Sequence, residues 1–262
     1  MASQTDVNLL AKPSRALPTP QADGNPAPFP VRSNRYGELV YGQSARRQAA
    51  DDGCYFVATN VTPGTGIVFA AAGEGAAFAA ATKAALFVLY NRNPVGGKRV
   101  YLDRLKLFLG GTAPTGTLQM DFAFELDDPG RVTTAPSNQV LVTAVNVNGA
   151  SDVQSQTTIW FPTTSPLTVT TATVGVMKLV GRASIITGVA VVGDEYELIF
   201  GEDIPGGQGG ATAARATDPA RRVGSAPPII VAPQQVCVCR FRWITQAANA
   251  WTSEFELGFI ER

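Results

Sequence analysis

Histidine is missing from all 262 residues, and no other absence removes as much chemistry. It is the usual general base near neutral pH, the usual partner of a nucleophilic serine or cysteine, and the commonest metal ligand. The common triads and zinc sites are therefore excluded together, which leaves carboxylate chemistry. Cysteine is scarce: Cys54, Cys237 and Cys239 cannot close a disulfide framework, and a chain of this length does not need one. A reducing compartment during synthesis is the expectation. Charge is scarce too. Charged residues are 16% of the chain, against about 25% in ordinary soluble domains. The 21 lysines and arginines balance 21 aspartates and glutamates, so no global field steers the protein, and neither nucleic acid nor membrane is expected as a partner. Long apolar runs are also lacking. The longest, residues 76–90, is broken by Lys83 and is shorter than the ~20 residues of a membrane helix. Residues 1–11 have neither the basic start nor the apolar centre of a secretory leader. The expectation is a soluble protein made in the cytosol.

What is present is Gly, Ala, Thr, Val and Pro within a composition that is 45% hydrophobic, enough for one large β domain or two small ones. Residues 1–35 carry prolines at 18, 20, 26, 28 and 30, after one at 13, with few large apolar side chains. That is an extended arm unable to build its own core. Residues 36–53 read as a short helix and linker: Asn34 caps a helix over 36–50, with Tyr36, Leu39, Val40 and Gln43 near one face and Gly53 beyond its end. From Cys54 to Arg262 the pattern is short β runs between Gly, Pro, Asn and Asp turns, the signature of an antiparallel sandwich or barrel.

Strands are expected over residues 55–60, 67–71, 86–91, 100–109, 118–126, 140–145, 174–182, 196–200, 236–244 and 255–260. Turns are expected at Pro63-Gly64, Asn93-Pro94, Gly96-Gly97, Gly110-Gly111, Asp128-Pro129-Gly130 and Gly193-Asp194. Leu118, Met120, Phe122, Phe124 and Leu126 alternate with Gln119, Asp121, Ala123 and Glu125, which predicts one buried and one mostly polar face. Near the C-terminus Cys237, Cys239, Phe241 and Trp243 share one face, opposite Arg240 and Arg242; Phe255, Leu257 and Phe259 share another, opposite Glu254 and Glu256. Pairing the two runs as a hairpin would set Arg240 against Glu256 and Arg242 against Glu254, with Trp251 in the connecting loop. Residues 157–173, rich in Thr and Pro, and residues 204–225, rich in Gly, Ala and Arg, read as long loops.

None of the short motifs carries chemistry. Gly206-Gly207-Gln208 matches a release-factor tripeptide but lacks a basic, ribosome-binding context. Gly96-Gly97-Lys98 lacks the rest of a phosphate loop and reads as a turn. The acid pairs Asp127-Asp128, Asp194-Glu195 and Glu202-Asp203 read as solvated turn acids, with calcium ligation or glycoside chemistry as alternatives. Cys237 and Cys239 read as small buried hydrophobes. Arg46-Arg47 and Arg221-Arg222 are too short for a nucleic-acid footprint. Asn60-Val61-Thr62 fits the glycosylation pattern by chance. No catalytic, metal or cofactor site is assigned.

The arm, Arg35-Tyr36-Gly37-Glu38-Leu39, Gly53-Cys54-Tyr55-Phe56, Thr62-Pro63-Gly64-Thr65-Gly66, Gly97-Lys98-Arg99-Val100-Tyr101-Leu102 and the closing Glu256-Leu257-Gly258-Phe259-Ile260-Glu261-Arg262 together resemble virion structural proteins of tailed bacteriophages. The resemblance implies a jelly-roll-like β-sandwich without catalytic residues, assembled in the host bacterial cytoplasm into the virion as a capsid decoration (cement) protein or a tail component, the former being the leading expectation. It further implies a homo-oligomer, a trimer by analogy, in contact with the major capsid protein or other virion proteins. Phe29, Arg35, Tyr36, Leu39 and Tyr41 are then the candidate partner-binding residues. Two alternatives stand beside it. One is a tail, fibre or receptor-binding component; the other is a carbohydrate-binding or carbohydrate-cleaving jelly roll with Trp160, Trp243 and Trp251 as sugar platforms.

Overall fold

The computed structural model describes residues 45–60, 64, 66–69, 85–114, 117–127, 135–163, 167–169, 177–201, 221–245 and 250–262. The chain divides into two units, residues 1–48 and 49–262. The expected arm and the first part of the expected helix lie outside the described residues. Helix α1 spans Ala45–Asp51, and Gly53, at φ +66°, reverses the chain just past its end.

Everything else in the described chain is strand and turn. The strands are β1 (Tyr55–Thr59), β2 (Ile67–Phe69), β3 (Ala85–Asn91), β4 (Val100–Leu109), β5 (Thr117–Asp127), β6 (Gln139–Val142), β7 (Val145–Asn146), β8 (Thr157–Pro162), β9 (Met177–Val189), β10 (Glu195–Phe200), β11 (Arg221–Ala226), β12 (Ile230–Val231), β13 (Val236–Thr245) and β14 (Trp251–Glu261). They form two sheets, ordered β11-β10-β4-β14-β1-β7 and β6-β8-β3-β13-β5-β9, with β2 and β12 joining the first.

Four antiparallel pairs define the winding. β1 pairs β14 and β4 pairs β10 in the first sheet, whereas β3 pairs β13 and β5 pairs β9 in the second. Counted in chain order, eight strands thus pair first with last, second with seventh, third with sixth and fourth with fifth, and successive pairs fall in alternate sheets. This is a two-stranded ribbon rolled into a sandwich, the jelly roll. β6, β7 and β8 are inserted between β5 and β9 and widen both sheets on one side; β11 adds a parallel strand to β10 at the first sheet's far edge.

The interior is filled by the inward rows of both sheets. Leu105, Leu107, Phe255, Leu257 and Phe259 from the first meet Leu118, Met120, Phe122, Phe124, Cys237, Cys239 and Phe241 from the second. Phe69 is the hub of an aromatic group, with ring centroids 4.3 Å from Trp251, 5.0 Å from Trp243 and 5.3 Å from Phe241. Burial of this many large side chains, at roughly 1.5–3 kcal/mol each, is the dominant stabilising term.

The stripe Leu118–Leu126 lies within β5 with its large residues inward, as alternation requires. The terminal hairpin is not formed. β13 pairs β3 and β5 while β14 pairs β1, β2 and β4, so the two runs face each other across the core instead of sharing a ladder. Their phenylalanine faces meet all the same, and each charge finds another partner: Arg240 pairs Glu125, Arg242 pairs Asp121, and Glu256 pairs Arg104. Alternation fixed which side chains point inward, but it is equally satisfied by pairing beside or packing opposite.

Other expectations change as well. Trp251 is no loop residue; it begins β14 and is fully buried. Residues 157–162 form β8, where threonines and aromatics suit a pleated surface better than a loop. Arg221–Ala226 is a strand as well. The expected strand 140–145 is split: β6 pairs β8 in the second sheet and β7 pairs β1 in the first, so the chain crosses between sheets at Thr143 and Ala144. The expected turns at Gly64, Gly96, Gly111 and Gly193 all carry glycines with positive φ.

Candidate functional site

The groups that suggested chemistry in the sequence are occupied by structural work. Asp194 accepts hydrogen bonds from the Val191 amide at 2.9 Å and the Tyr196 hydroxyl at 3.2 Å, which closes the turn into β10. Its neighbour Glu195 forms an ion pair with Lys106 at 3.1 Å. Asp127 is buried, while Asp128, Glu202 and Asp203 lie outside the described residues. No group of three or more metal-binding side chains occurs among the described residues. Asn60 is buried and accepts from the Phe255 amide at 3.2 Å, so it is no surface glycosylation acceptor. Gly97 donates to the Pro94 carbonyl at 2.8 Å in an ordinary turn before β4. Burial raises the thiols of Cys237 and Cys239 far above the usual range, with Glu125 adding to the effect, so both stay protonated inside the core.

Trp160, Trp243 and Trp251 are all buried. None offers an open face for a sugar ring.

On the second sheet's outer face, Asp121 collects the Arg242 guanidinium (Nε at 3.0 Å), the Ser184 hydroxyl at 2.7 Å and the Gln119 amide at 3.0 Å. Burial opposes its charge, yet these donors and the arginine's charge outweigh that and hold its carboxyl below the ordinary value. Asp121, Ser184 and Arg242 border, with Arg182 and Ser225, a cavity of about 360 Å³. It is polar and already internally paired.

The more informative surface is the insertion between β6 and β8. Its conformation is fixed by a chain of short side-chain bonds to backbone. Asn146 donates to the carbonyls of Gly53 at 2.9 Å and Val153 at 3.0 Å, and accepts from the Asn148 amide at 3.0 Å. Asn148 accepts from Ala150 at 3.1 Å, and Ser151 accepts from Val153 at 3.2 Å. Asn and Ser side chains that imitate backbone turns build a rigid loop without regular structure. The loop is also tied to the chain's last strand. Buried Glu261 accepts from Ser155 at 2.7 Å, Asn93 at 2.8 Å, the Gln156 amide at 3.2 Å and Thr157 at 3.3 Å. Four neutral donors satisfy that carboxylate completely.

This rigid frame holds apolar side chains in solvent. Leu141 is 59% exposed, Val145 66% and Val153 41%, and all three line one open-sided cavity of about 600 Å³. Of the residues that line it, only Asp152 ionises. β6 and β7 end their respective sheets here, so two strand edges flank the cavity. Exposed valine and leucine thus lie on a hydrogen-bonded frame beside the ends of both sheets.

The residues that the sequence offered for partner binding, Phe29, Arg35, Tyr36, Leu39 and Tyr41, lie outside the described residues. The apolar insertion was missed in the sequence. Its signal is legible afterwards: Asn146, Asn148, Gly149 and Ser151 are interleaved with Val145, Val147 and Val153, a pattern that leaves valines outside the core. The fold places the chain in the class of jelly-roll sandwiches. Beyond that class, no protein-family model, curated protein or solved structure matches the chain.

Proposed function

We propose that this protein is a structural component of a tailed-bacteriophage virion, a capsid decoration protein that stabilises the particle through its N-terminal arm and through its sandwich. The observation that carries the reading is the combination of a side-chain-filled jelly roll with a rigid, exposed, almost uncharged apolar surface at Leu141, Val145 and Val153. A jelly roll alone hosts many functions. A filled interior leaves its surface and loops to make contacts, and a neutral apolar surface suits lasting contacts rather than steered, transient ones. In a symmetric shell one such contact is repeated in every copy, so a weak individual contact suffices. The partners are further copies of this chain and the major capsid protein or another virion protein.

Removal of residues 1–35 tests the role of the arm. The truncated chain is expected to keep its cooperative unfolding transition and to lose particle binding. Decoration at full occupancy by the truncated protein would refute arm-mediated anchoring.

A further inference from the structure

We infer that the cavity walled by Leu141, Val145 and Val153 seats the N-terminal arm of a second copy of this chain, with residues 16–31 as the occupant. The inference rests on the arm-mediated assembly proposed above and names where the arm goes.

Three observations converge on that occupant. The first is chemistry. The cavity sets the exposed apolar side chains of Leu141, Val145 and Val153 among neutral Asn, Ser, Thr and Gln groups, and carries a single ionisable residue, Asp152. Residues 16–31 likewise carry a single charge, Asp23, among Leu17, Phe29, Val31 and prolines 18, 20, 26, 28 and 30. Such a segment favours the extended polyproline conformation, which has little entropy left to lose on docking and presents apolar side chains to a groove.

The second is the point of entry. The chain enters the sandwich beside the cavity: the Asp51 carbonyl accepts from Asn148 at 3.3 Å and the Gly53 carbonyl from Asn146 at 2.9 Å, both on the loop that frames it. In every copy, therefore, the start of the sandwich unit is tied to the frame of its own cavity.

The third is length. The occupant stretch ends at Val31, upstream of the unit that begins at Ala49. Residues 45–48 of that gap belong to α1; residues 32–44, fully extended at ~3.3 Å each, reach up to about 43 Å, on the order of the width of a domain this size. A reach of that order is enough for the segment to meet the cavity of an adjoining copy. Among the described residues β6 and β7 end their sheets, and a sheet edge is where an extended segment can add backbone hydrogen bonds.

The test is site-specific photocrosslinking in the full-length protein, with a benzophenone amino acid at Val145 and, separately, at Val153. The expected result is a covalent dimer on a denaturing gel, whose linked peptide maps within residues 1–44. A crosslinked species that runs as a monomer would mean that the chain's own arm fills the cavity, and would overturn the inference. So would a dimer linked to residues 49–262, or no crosslink at either position. A second arm uses the double substitution L141D/V145D, checked for an unchanged thermal transition. It should reduce the oligomer population at least tenfold at a concentration where the parent is assembled; unchanged assembly would overturn the inference. Particle association is read separately. Dimers through the arm in a protein that never accompanies particles would keep the cavity's role and remove the virion reading. Monomeric crosslinks in a protein that does accompany them would remove the cavity's role alone.

Discussion

The outer faces of the two sheets follow one sequence grammar and end in different environments. On the first sheet, Glu256 pairs Arg104 at 2.7 Å and Glu195 pairs Lys106 at 3.1 Å, with side chains between 16% and 26% exposed. On the second sheet, Arg240 pairs Glu125 at 3.0 Å with side chains 6% and 3% exposed. The difference lies in what covers them. Ala85, Val88, Trp160, Leu167, Val236 and Val238 make a second apolar cluster on the outside of the second sheet, so its charges are dry at one end and wetter toward Asp121. Alternation tells a strand which residues point away from the core. It does not tell them whether they reach water.

Substitutions in the core and on each outer face put magnitudes on that difference. The largest effect belongs to the interior that both sheets share: Phe241→Ala should cost about 3–5 kcal/mol, as expected for an aromatic deleted from a packed core, since its ring touches Phe69, Phe122 and Trp243. Urea denaturation, read at a constant m-value, measures it. Glu125→Ala should come next, at about 3 kcal/mol or more, because Arg240 is left charged and buried. Adding Arg240→Leu should recover most of that loss. If the double variant were as unstable as the single, the buried pair would not be the cause.

Asp121→Asn should fall between the two faces, at about 1–2 kcal/mol for charge-assisted hydrogen bonds that water partly screens. Its effect should depend on pH. The folded carboxyl is held below its ordinary value, so its contribution is complete above the unfolded value of about 3.9 and is lost as pH falls through the folded one. The gap between parent and variant should therefore be constant at neutral pH and close in acid, as followed by thermal melts across pH. The smallest effect is expected for Glu256→Ala on the wetter face, at or below about 1 kcal/mol. A cost equal to that of Glu125→Ala would erase the distinction between the faces.

Much of this architecture is legible in the sequence because large side chains mark the period. Leu118, Phe122 and Phe124 announce β5, and Phe255 and Phe259 announce β14, whatever the topology. Partner choice is not legible at the same level. Arg240 and Glu256 match in a hairpin register on paper, yet Glu125 and Arg104 match as well, and only the rolled ribbon decides between them. β8 hid behind its threonines and Pro162, residues that serve loops and strands alike. The exposed insertion was missed for a related reason. Its valines look like core until the Asn146, Asn148 and Ser151 turns hold them outside, and those turns depend on contacts with Gly53 far away in sequence.

The central claim is that this jelly roll works as a repeated part of a particle. Quantitative mass spectrometry of purified virions, combined with imaging of the same particles, measures that directly. The account predicts that the chain accompanies assembled capsids at a high, fixed copy number set by capsid symmetry, at positions on the capsid exterior. Absence from washed particles, with the protein recovered only free in the lysate, would contradict it.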